Sequence, residues 1–247
     1  MAKIRADNLL VEQGLAETRS QARALIMAGQ VLAGSRRVEK AGELLAEETV
    51  LALKDQGEAY ASRGGFKLEG ALDDFALDVT GLRCLDVGAS TGGFTDCLLK
   101  KGAAEVVAVD VGYGLIHWRL RQDPRVRVVE RINARSMTAA EVGADFDLAV
   151  IDVSFISLAL VLPAVGKLVR PGGRILALVK PQFEVGKDRV GRGGVVRDQA
   201  LITEAVEQNA RAATELGLTV LGGNPSRLKG PKGNQEQFLL VEVPSGL

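Results

Sequence analysis

The residues best suited to chemistry in this chain of 247 residues begin with Leu85-Asp86-Val87-Gly88-Ala89-Ser90-Thr91-Gly92-Gly93-Phe94, an apolar run that breaks into a glycine-rich turn. Glycines let a ligand lie against bare backbone, and the carboxylate just before the turn, Asp86, can pair an ammonium group. A second carboxylate, Asp110, closes the next apolar run, Val106 to Val109, where it can accept from ribose hydroxyls. The spacing separates this turn from two near relatives. A dinucleotide fingerprint wants glycine where Ser90 stands, and a phosphate loop needs a Lys-Ser/Thr pair that does not follow. What remains is a site for a small nucleoside-like ligand, or a generic strand and turn with acids at strand ends.

The elements that must position these residues alternate along the chain. Arg83 to Val87 reads as a buried parallel strand and Gly92 to Lys100 as the following helix, which puts the turn at the carboxyl edge of a sheet, where open α/β sheets bind ligands. Further strands are predicted at Val126 to Glu130, Leu148 to Val153, Arg174 to Lys180, Leu218 to Leu221 and Phe238 to Val243, mostly with helices between them. Pro171-Gly172-Gly173 reads as a turn before the fifth strand. The last strand follows its predecessor after only a loop, with no helix to carry a crossover, so it is predicted to be antiparallel. Asp152 and Lys180, at the ends of the fourth and fifth strands, and Glu236, at the start of the reversed one, then share the rim that carries the glycine turn. Ser62 is predicted to cap a helix from Arg63 to Phe75 whose apolar positions are Phe66, Leu68 and Leu72, leaving Lys67 free to point elsewhere.

The turn and its acids resemble the S-adenosylmethionine site of class I methyltransferases. That resemblance implies a Rossmann-like α/β fold with a seven-stranded, mostly parallel sheet and one reversed strand. It implies cofactor contacts at Asp86, Gly88, Ala89, Ser90, Thr91, Gly92, Gly93, Phe94, Asp110 and Asp152. Lys67, Asp152, Lys180 and Glu236 resemble the K-D-K-E set of FtsJ-type ribose 2′-O-methyltransferases, together with the flanks Ser62-Arg63-Gly64-Gly65-Phe66-Lys67-Leu68, Asp152-Val153-Ser154-Phe155-Ile156-Ser157, Leu178-Val179-Lys180-Pro181-Gln182-Phe183-Glu184 and Gly233-Asn234-Gln235-Glu236. The task of such a set is to align a ribose oxygen with an electrophilic methyl and to accept its proton. A lysine among cations and apolar walls has its charged form disfavoured, which would make Lys180 a usable base or a hydroxyl-orienting group, with Lys67 the neighbouring cation and Asp152 and Glu236 holding the lysines. Taken singly, each is as readily a surface ion pair; the reading rests on their convergence. An exocyclic-amine enzyme usually shows Asn/Asp-Pro-Pro-Tyr/Phe where Asp152-Val153-Ser154-Phe155 stands, and a cytosine-carbon enzyme needs a cysteine at the rim, which neither Cys84 nor Cys97 provides.

Residues 1–57 read as a separate α+β unit. Arg5 to Gln13 and Arg19 to Ala28 have helical spacing, the second with Thr18 as N-cap, and Val31-Leu32-Ala33 and Val50-Leu51-Ala52-Leu53 read as short strands around the turn Gly34-Ser35-Arg36-Arg37. With Thr18-Arg19-Ser20-Gln21-Ala22-Arg23-Ala24-Leu25-Ile26 on the second helix, the order resembles the RNA-binding domain named after ribosomal protein S-four, although Ala33 stands where many members carry asparagine. Arg19 and Arg23 share a helix face. With Lys3, Arg5, Arg36, Arg37 and Lys40 they line a groove for phosphates, or, since six glutamates interleave with them, a solvated charged face. Residues 58–61 read as a linker in which Tyr60 docks between the two domains, and residues 62–247 as the methyltransferase domain. Two basic loops, carrying Lys187, Arg189 and Arg192 and carrying Arg227, Lys229 and Lys232, are expected over the rim with Arg63 as a local RNA surface. Phe155 reads as a platform for a flipped base or, more simply, as a core residue at a strand end.

Composition narrows the partners. The chain has 31 basic and 31 acidic residues, so no global positive field draws nucleic acid and any RNA surface is local. Its N-terminus lacks the apolar core of a secretory signal, and no apolar run reaches the roughly 20 residues of a membrane span. Two cysteines that read as small buried residues suit a reducing, cytoplasmic location. No metal-ligand cluster or membrane partner is expected, and no protein partner is implied. With both domains in place, the chain resembles the TlyA (hemolysin A) family of rRNA cytidine 2′-O-methyltransferases. That resemblance implies S-adenosylmethionine as cofactor and ribosomal RNA or ribosomal subunits as partners. Shorter members are associated with a cytidine in large-subunit rRNA and longer ones also with the small subunit; the extent of this chain favours the first. A small-molecule methyltransferase would leave the basic unit and loops without work, and a haemolysin is the other reading the family name carries.

Overall fold

The computed structural model describes residues 3–16, 18–27, 29–53 and 60–246, which divide into two compact units, Met1–Ala59 and Tyr60–Leu247.

The first unit comprises β1 (Lys3–Arg5), α1 (Ala6–Glu12), α2 (Arg19–Met27), β2 (Val31–Ala33), β3 (Arg36–Arg37), β4 (Leu44–Ala46) and β5 (Leu51–Leu53). β1 pairs antiparallel with β4, and β2 lies between β3 and β5. Both helices turn their apolar stripe inward, so Leu9, Leu10, Ala22 and Ile26 pack on Val31, Val38, Leu45 and Leu51. Thr18 caps α2 as expected, its hydroxyl accepting from Gln21 N at 3.2 Å. Arg5 belongs to a strand and not to the first helix, and α1 starts one residue later. The predicted end of α2, Ala28, lies outside the described residues. β1, β3 and β4 were not expected, since pairing, and not local pattern, defines strands of two or three residues.

The second unit is built from α3 (Gly64–Asp74), β6 (Arg83–Val87), α4 (Gly93–Lys100), β7 (Glu105–Asp110), α5 (Trp118–Arg121), β8 (Val126–Glu130), α6 (Ala139–Val142), β9 (Phe146–Ile151), α7 (Leu162–Gly166), β10 (Val169–Val179), α8 (Pro181–Glu184), α9 (Gln199–Glu215), β11 (Thr219–Pro225) and β12 (Gln237–Glu242). Seven strands form one sheet in the order β11-β12-β10-β9-β6-β7-β8. Only β12 runs against the rest, antiparallel to both β10 and β11. The first strand of the parallel set buries alternate residues in different layers: Leu85 and Val87 join the cluster with Ile151, Ile175 and Ala205 of α9, while Cys84 joins Leu68 of α3, Leu98 of α4 and Phe238. Each fully buried Leu, Ile or Phe in these layers contributes roughly 1.5–3 kcal/mol.

Several boundaries differ from the sequence reading: α3 starts at Gly64 with Arg63 and not Ser62 at its N-cap, and β11 runs from Thr219 on to Pro225. β10 begins at Val169, so Pro171-Gly172-Gly173 is not a turn before the strand but an irregularity within it, where the register against β9 slips between Val169 and Arg174. β9 ends at Ile151, which leaves Asp152 on the loop beyond it. The linker reading also changes. Residues 58 and 59 lie outside the described residues, while Tyr60 is buried within the second unit: a Cβ at Gly65 would come 2.2 Å from its ring. Ala61 N then donates to Asp96 Oδ2 at 2.7 Å.

Candidate active site

Register fixes the rim. Val87 lies beside Ile151, Ile151 beside Ala177, and Val179 beside Gln237, so the ends of β6, β9 and β10 and the start of β12 stand in a row. The residues immediately beyond them are Gly88, Asp152, Lys180 and Glu236. In the turn after β6, Gly88 has φ +86°, and a Cβ there would meet Asp152 O at 2.8 Å. Glycine is therefore required both by conformation and by the backbone of the neighbouring loop. Asp110 braces the turn from behind, its two oxygens accepting from Ser90 N at 2.8 Å and Gly112 N at 2.7 Å. Gly92 faces Leu120, which a Cβ would approach to 2.3 Å.

Asp86 is wholly buried, with Oδ2 accepting from the Thr95 hydroxyl at 2.6 Å and Oδ1 without a partner. Burial pushes its carboxyl up to about 7, against the lowering effect of the Thr95 hydrogen bond.

The turn floors a cavity of about 630 Å³, a size suited to a small-molecule site. Gly88, Ala89, Ser90, Thr91, Gly93 and Phe94 contribute to its wall, and Lys67, Asp152, Lys180 and Glu236 all open onto it. Asp86, Gly92 and Asp110 are not in that wall. Lys67 arrives from α3, whose first turn lies so close to α4 that a Cβ at Gly93 would be 2.9 Å from Gly65 N. Its ammonium donates to Glu236 Oε2 at 2.5 Å, and both side chains are buried. Lys180 Nζ lies 2.6 Å from Asp152 Oδ1 and donates to Ser154 Oγ at 2.9 Å. The expected cluster of four is thus two ion pairs, each lysine with its own carboxylate, and not a lysine set among cations.

Ser154 was not singled out from sequence, although its place two residues after Asp152 on a rim loop was a usable signal. Neither cysteine offers a nucleophile: burial holds the thiols of Cys84 and Cys97 up near about 12.

The basic residues divide. In the first unit, Arg5, Arg19 and Arg23 all converge on buried Asp7, at 2.9, 3.3 and 3.1 Å. These contacts, that from Arg5 above all, hold the Asp7 carboxyl well below the usual carboxylate range. Three guanidiniums on one carboxylate leave a net positive patch, with Arg19 and Arg23 half exposed. Arg36 pairs with Glu43 at 2.6 Å, Arg37 covers Gly29, and Lys3 and Lys40 are exposed.

In the second unit Arg63, Lys229 and Lys232 border the cavity, and Lys187 and Arg192 are exposed. Two members of the expected RNA surface are engaged in holding elements instead: Arg189 is forked onto Glu204, and Arg227 onto Asp74. Phe155 overturns its expected core placement. It is 90% exposed, has φ +65° and lies 4.9 Å from the ring of Phe183, because the left-handed residue after the strand turns the side chain out of the fold. Phe66, expected on the apolar face of α3, is likewise exposed, at 41%.

The FtsJ-like methyltransferase profile matches residues 60–242, which spans the sheet and all four paired residues. The chain belongs to the FtsJ-like methyltransferase family. Residues 4–51 match the S4 domain. Among relatives, the 16S/23S rRNA (cytidine-2′-O)-methyltransferase TlyA of Mycobacterium tuberculosis is 51% identical over 242 residues, covering 98% of this chain and 90% of that one. Hemolysin A of Brachyspira hyodysenteriae is 36% identical over 235 residues, 94% of this chain and 97% of the other. A solved structure from Streptococcus thermophilus, provisionally named a hemolysin, superposes with a TM-score of 0.73 at 44% identity, covering 99% of this chain and 90% of that one. The family and the class I methyltransferase fold agree with what the turn, the reversed strand and the K-D-K-E residues implied.

Proposed function

We propose that this protein methylates the 2′-hydroxyl of a cytidine ribose in ribosomal RNA, acting in the cytoplasm on rRNA or ribosomal subunits with S-adenosylmethionine as methyl donor. The observation that carries the reading is the opening of the Lys67–Glu236 and Lys180–Asp152 pairs onto one cavity floored by a glycine turn. The relative of 51% identity bears the name of this activity. Large-subunit rRNA is the substrate implied by the family resemblance, and that relative's name adds small-subunit rRNA as a second to test.

The residues fit the donor. The turn presents backbone with no side-chain cation of its own, Gly88 keeps the floor open where a Cβ would collide, and Asp86 holds a buried oxygen without a partner immediately behind. Residues 88–94, Asp152 and the unpartnered oxygen of Asp86 would hold it, with Asp110 bracing the turn. When bound, S-adenosylmethionine supplies an electrophilic methyl group on a sulfonium.

The chain's own work is then alignment and proton transfer. The ion pair with Asp152 at 2.6 Å and the hydrogen bond to Ser154 together hold Lys180 Nζ at the cavity wall, where a hydroxyl would arrive. Lys180 Nζ is the group placed to accept the proton that the hydroxyl gives up. Lys67, pinned by Glu236, supplies positive charge beside the developing alkoxide. The S4 domain and the exposed lysines of the rim loops supply phosphate contacts.

Mapping 2′-O-methyl groups on rRNA from cells with and without the protein tests this directly. A cytidine site that disappears with the protein and returns with the wild type, but not with Lys180→Ala, is the expected result. Unchanged rRNA in both cells would sink the reading.

A further inference from the structure

We propose that Asn234 is a positioning residue that clamps the two basic loops into one wall over the active site and thereby sets the affinity for RNA. This rests on the RNA-methylating reading above.

Asn234 is 2% exposed, and its side chain bonds across a large sequence separation. Its Oδ1 accepts from Val196 N at 2.9 Å, and its Nδ2 donates to Gly194 O at 2.9 Å. The amide thus imitates the bonding of a parallel strand, which accepts from one residue and donates to the residue two before it, against the segment 194–196, where no strand is available to make it. That segment closes the loop carrying Lys187 and Arg192, through the bridge between Gly191 and Val195. The main chain of Asn234 belongs to the other loop: Gly230 N donates to Asn234 O at 2.9 Å, which closes the tight turn carrying Lys232. Val190, Gly194, Lys229, Lys232 and Asn234 all border the same cavity. One side chain therefore joins two loops that are otherwise anchored to different helices, Arg189 to Glu204 of α9 and Arg227 to Asp74 of α3, and it holds their exposed cations toward RNA as one wall.

The two halves of Asn234 separate the effects. Substitution removes both side-chain bonds and spares the main-chain bond to Gly230. That turn sits directly on Glu236, since a Cβ at Gly230 would come 2.5 Å from Glu236 Oε1. The Lys67–Glu236 pair, and with it the chemical step, should survive. The loss should fall on RNA.

The test is steady-state methyl transfer to rRNA by the full-length protein, with cofactor affinity measured by calorimetry using S-adenosylhomocysteine. Hydrogen exchange of the Val196 amide serves as a readout independent of activity. For Asn234→Ala we expect the KM for RNA to rise by about tenfold, the loss of one or two buried hydrogen bonds. The kcat should stay within about twofold, cofactor affinity should not change, and the Val196 amide should lose its protection. Asn234→Asp keeps the volume and the bond from Val196 while putting an acceptor against Gly194 O, so it guards against a simple folding defect. It should keep Val196 protected and still raise the KM for RNA. An unchanged KM for RNA in Asn234→Ala with Val196 exposed would overturn the proposal, as would a loss confined to kcat or to cofactor affinity. If the wild type itself transfers no methyl to rRNA, the functional reading falls and takes this role with it, whereas a normal wild type with unaffected variants removes the role alone.

Discussion

Lys67 Nζ and Glu236 Oε2 lie 2.5 Å apart although 169 residues separate them, and both side chains are buried. The contact exists because β12 runs against its neighbours: a parallel last strand would begin at the opposite edge of the sheet and put Glu236 far from α3. Removing one partner leaves the other charge buried and unpaired, so Glu236→Ala should cost about 3–5 kcal/mol of stability. The double variant Lys67→Met with Glu236→Leu should recover most of that in thermal denaturation and still fail in single-turnover methyl transfer. Activity in the double variant would show that the pair is structural only.

Lys180 is held by Asp152 and Ser154, and its replacement separates proton acceptance from charge. Arginine keeps the charge but cannot lose its proton in a protein. Both Lys180→Ala and Lys180→Arg should lower single-turnover rates on saturating RNA by about 10² to 10⁴-fold, with cofactor binding retained. Wild-type rates in the arginine variant would reduce Lys180 to a cation. Ser154→Ala, which removes one of two contacts that aim Nζ, should cost less, about tenfold.

Legibility in the sequence follows from where each feature is encoded. The strand and glycine turn were readable because a buried strand and a positive-φ turn leave a local signature, and the reversed β12 was readable from a connection too short for a crossover. Topology put Asp152, Lys180 and Glu236 on one rim, and the resemblance to the K-D-K-E set singled them out together with Lys67. What escaped depends on long-range partners. Strands β1, β3 and β4 exist only as pairings, and Asn234 acts on residues 38 and 40 positions away. The engagement of Arg189 and Arg227 is not written in their own segments, because Glu204 and Asp74 lie on helices elsewhere in the chain. Of the two readings of Phe155, the core one fails: a large apolar residue at a strand end is ordinarily buried, but here the left-handed backbone of the loop leaves it exposed.

Phe155 should tolerate glycine well as far as stability goes. It is 90% exposed and sits at φ +65°, where a side chain is strained and glycine is not. Phe155→Gly should therefore leave the melting temperature unchanged or slightly raised. If the ring and its neighbour Phe183 form a stacking platform for a base, the same variant should weaken productive RNA binding by about tenfold or more, in line with roughly 1–3 kcal/mol per stacked base. Phe155→Trp should retain activity. Equal activity in the glycine variant would remove the platform.

The burial of Tyr60 and the bond from Ala61 N to Asp96 place the useful cut between the units before Tyr60 and not at Ser62. A protein starting at Ala59 should fold and bind cofactor while losing RNA affinity, and the intact chain's affinity should fall with salt as phosphate contacts are lost. One starting at Ser62 should melt lower, since it strips a buried aromatic from above Gly65. Equal RNA methylation by the Ala59 form would mean that the S4 domain has another task.

Asp86 carries the pH dependence. Burial raises its carboxyl to about 7, whereas an aspartate in the unfolded chain titrates near ~3.9. Between those values the folded protein binds a proton that the unfolded chain has released, so stability falls as pH rises. The contribution of Asp86 is fully present below about 4, is lost as pH passes through about 7, and is constant above that. Asp86→Asn does not titrate and keeps an acceptor for Thr95, so other titrating groups cancel when the two proteins are compared. The stability of the variant relative to wild type should rise from pH 4 to about pH 7 and then level off, whatever constant offset the amide introduces. The buried Oδ1, unpaired in the protein alone, also predicts that wild-type affinity for S-adenosylhomocysteine, whose amino group is cationic, strengthens as pH rises through 7 and that the variant lacks this slope. Thermal melts and calorimetry from pH 4 to 9 measure both. A stability difference that is flat across the range would show that Asp86 ionises as an ordinary carboxylate, and a sloped difference with pH-independent binding would place it in the scaffold of the turn and not in contact with the ligand's charge.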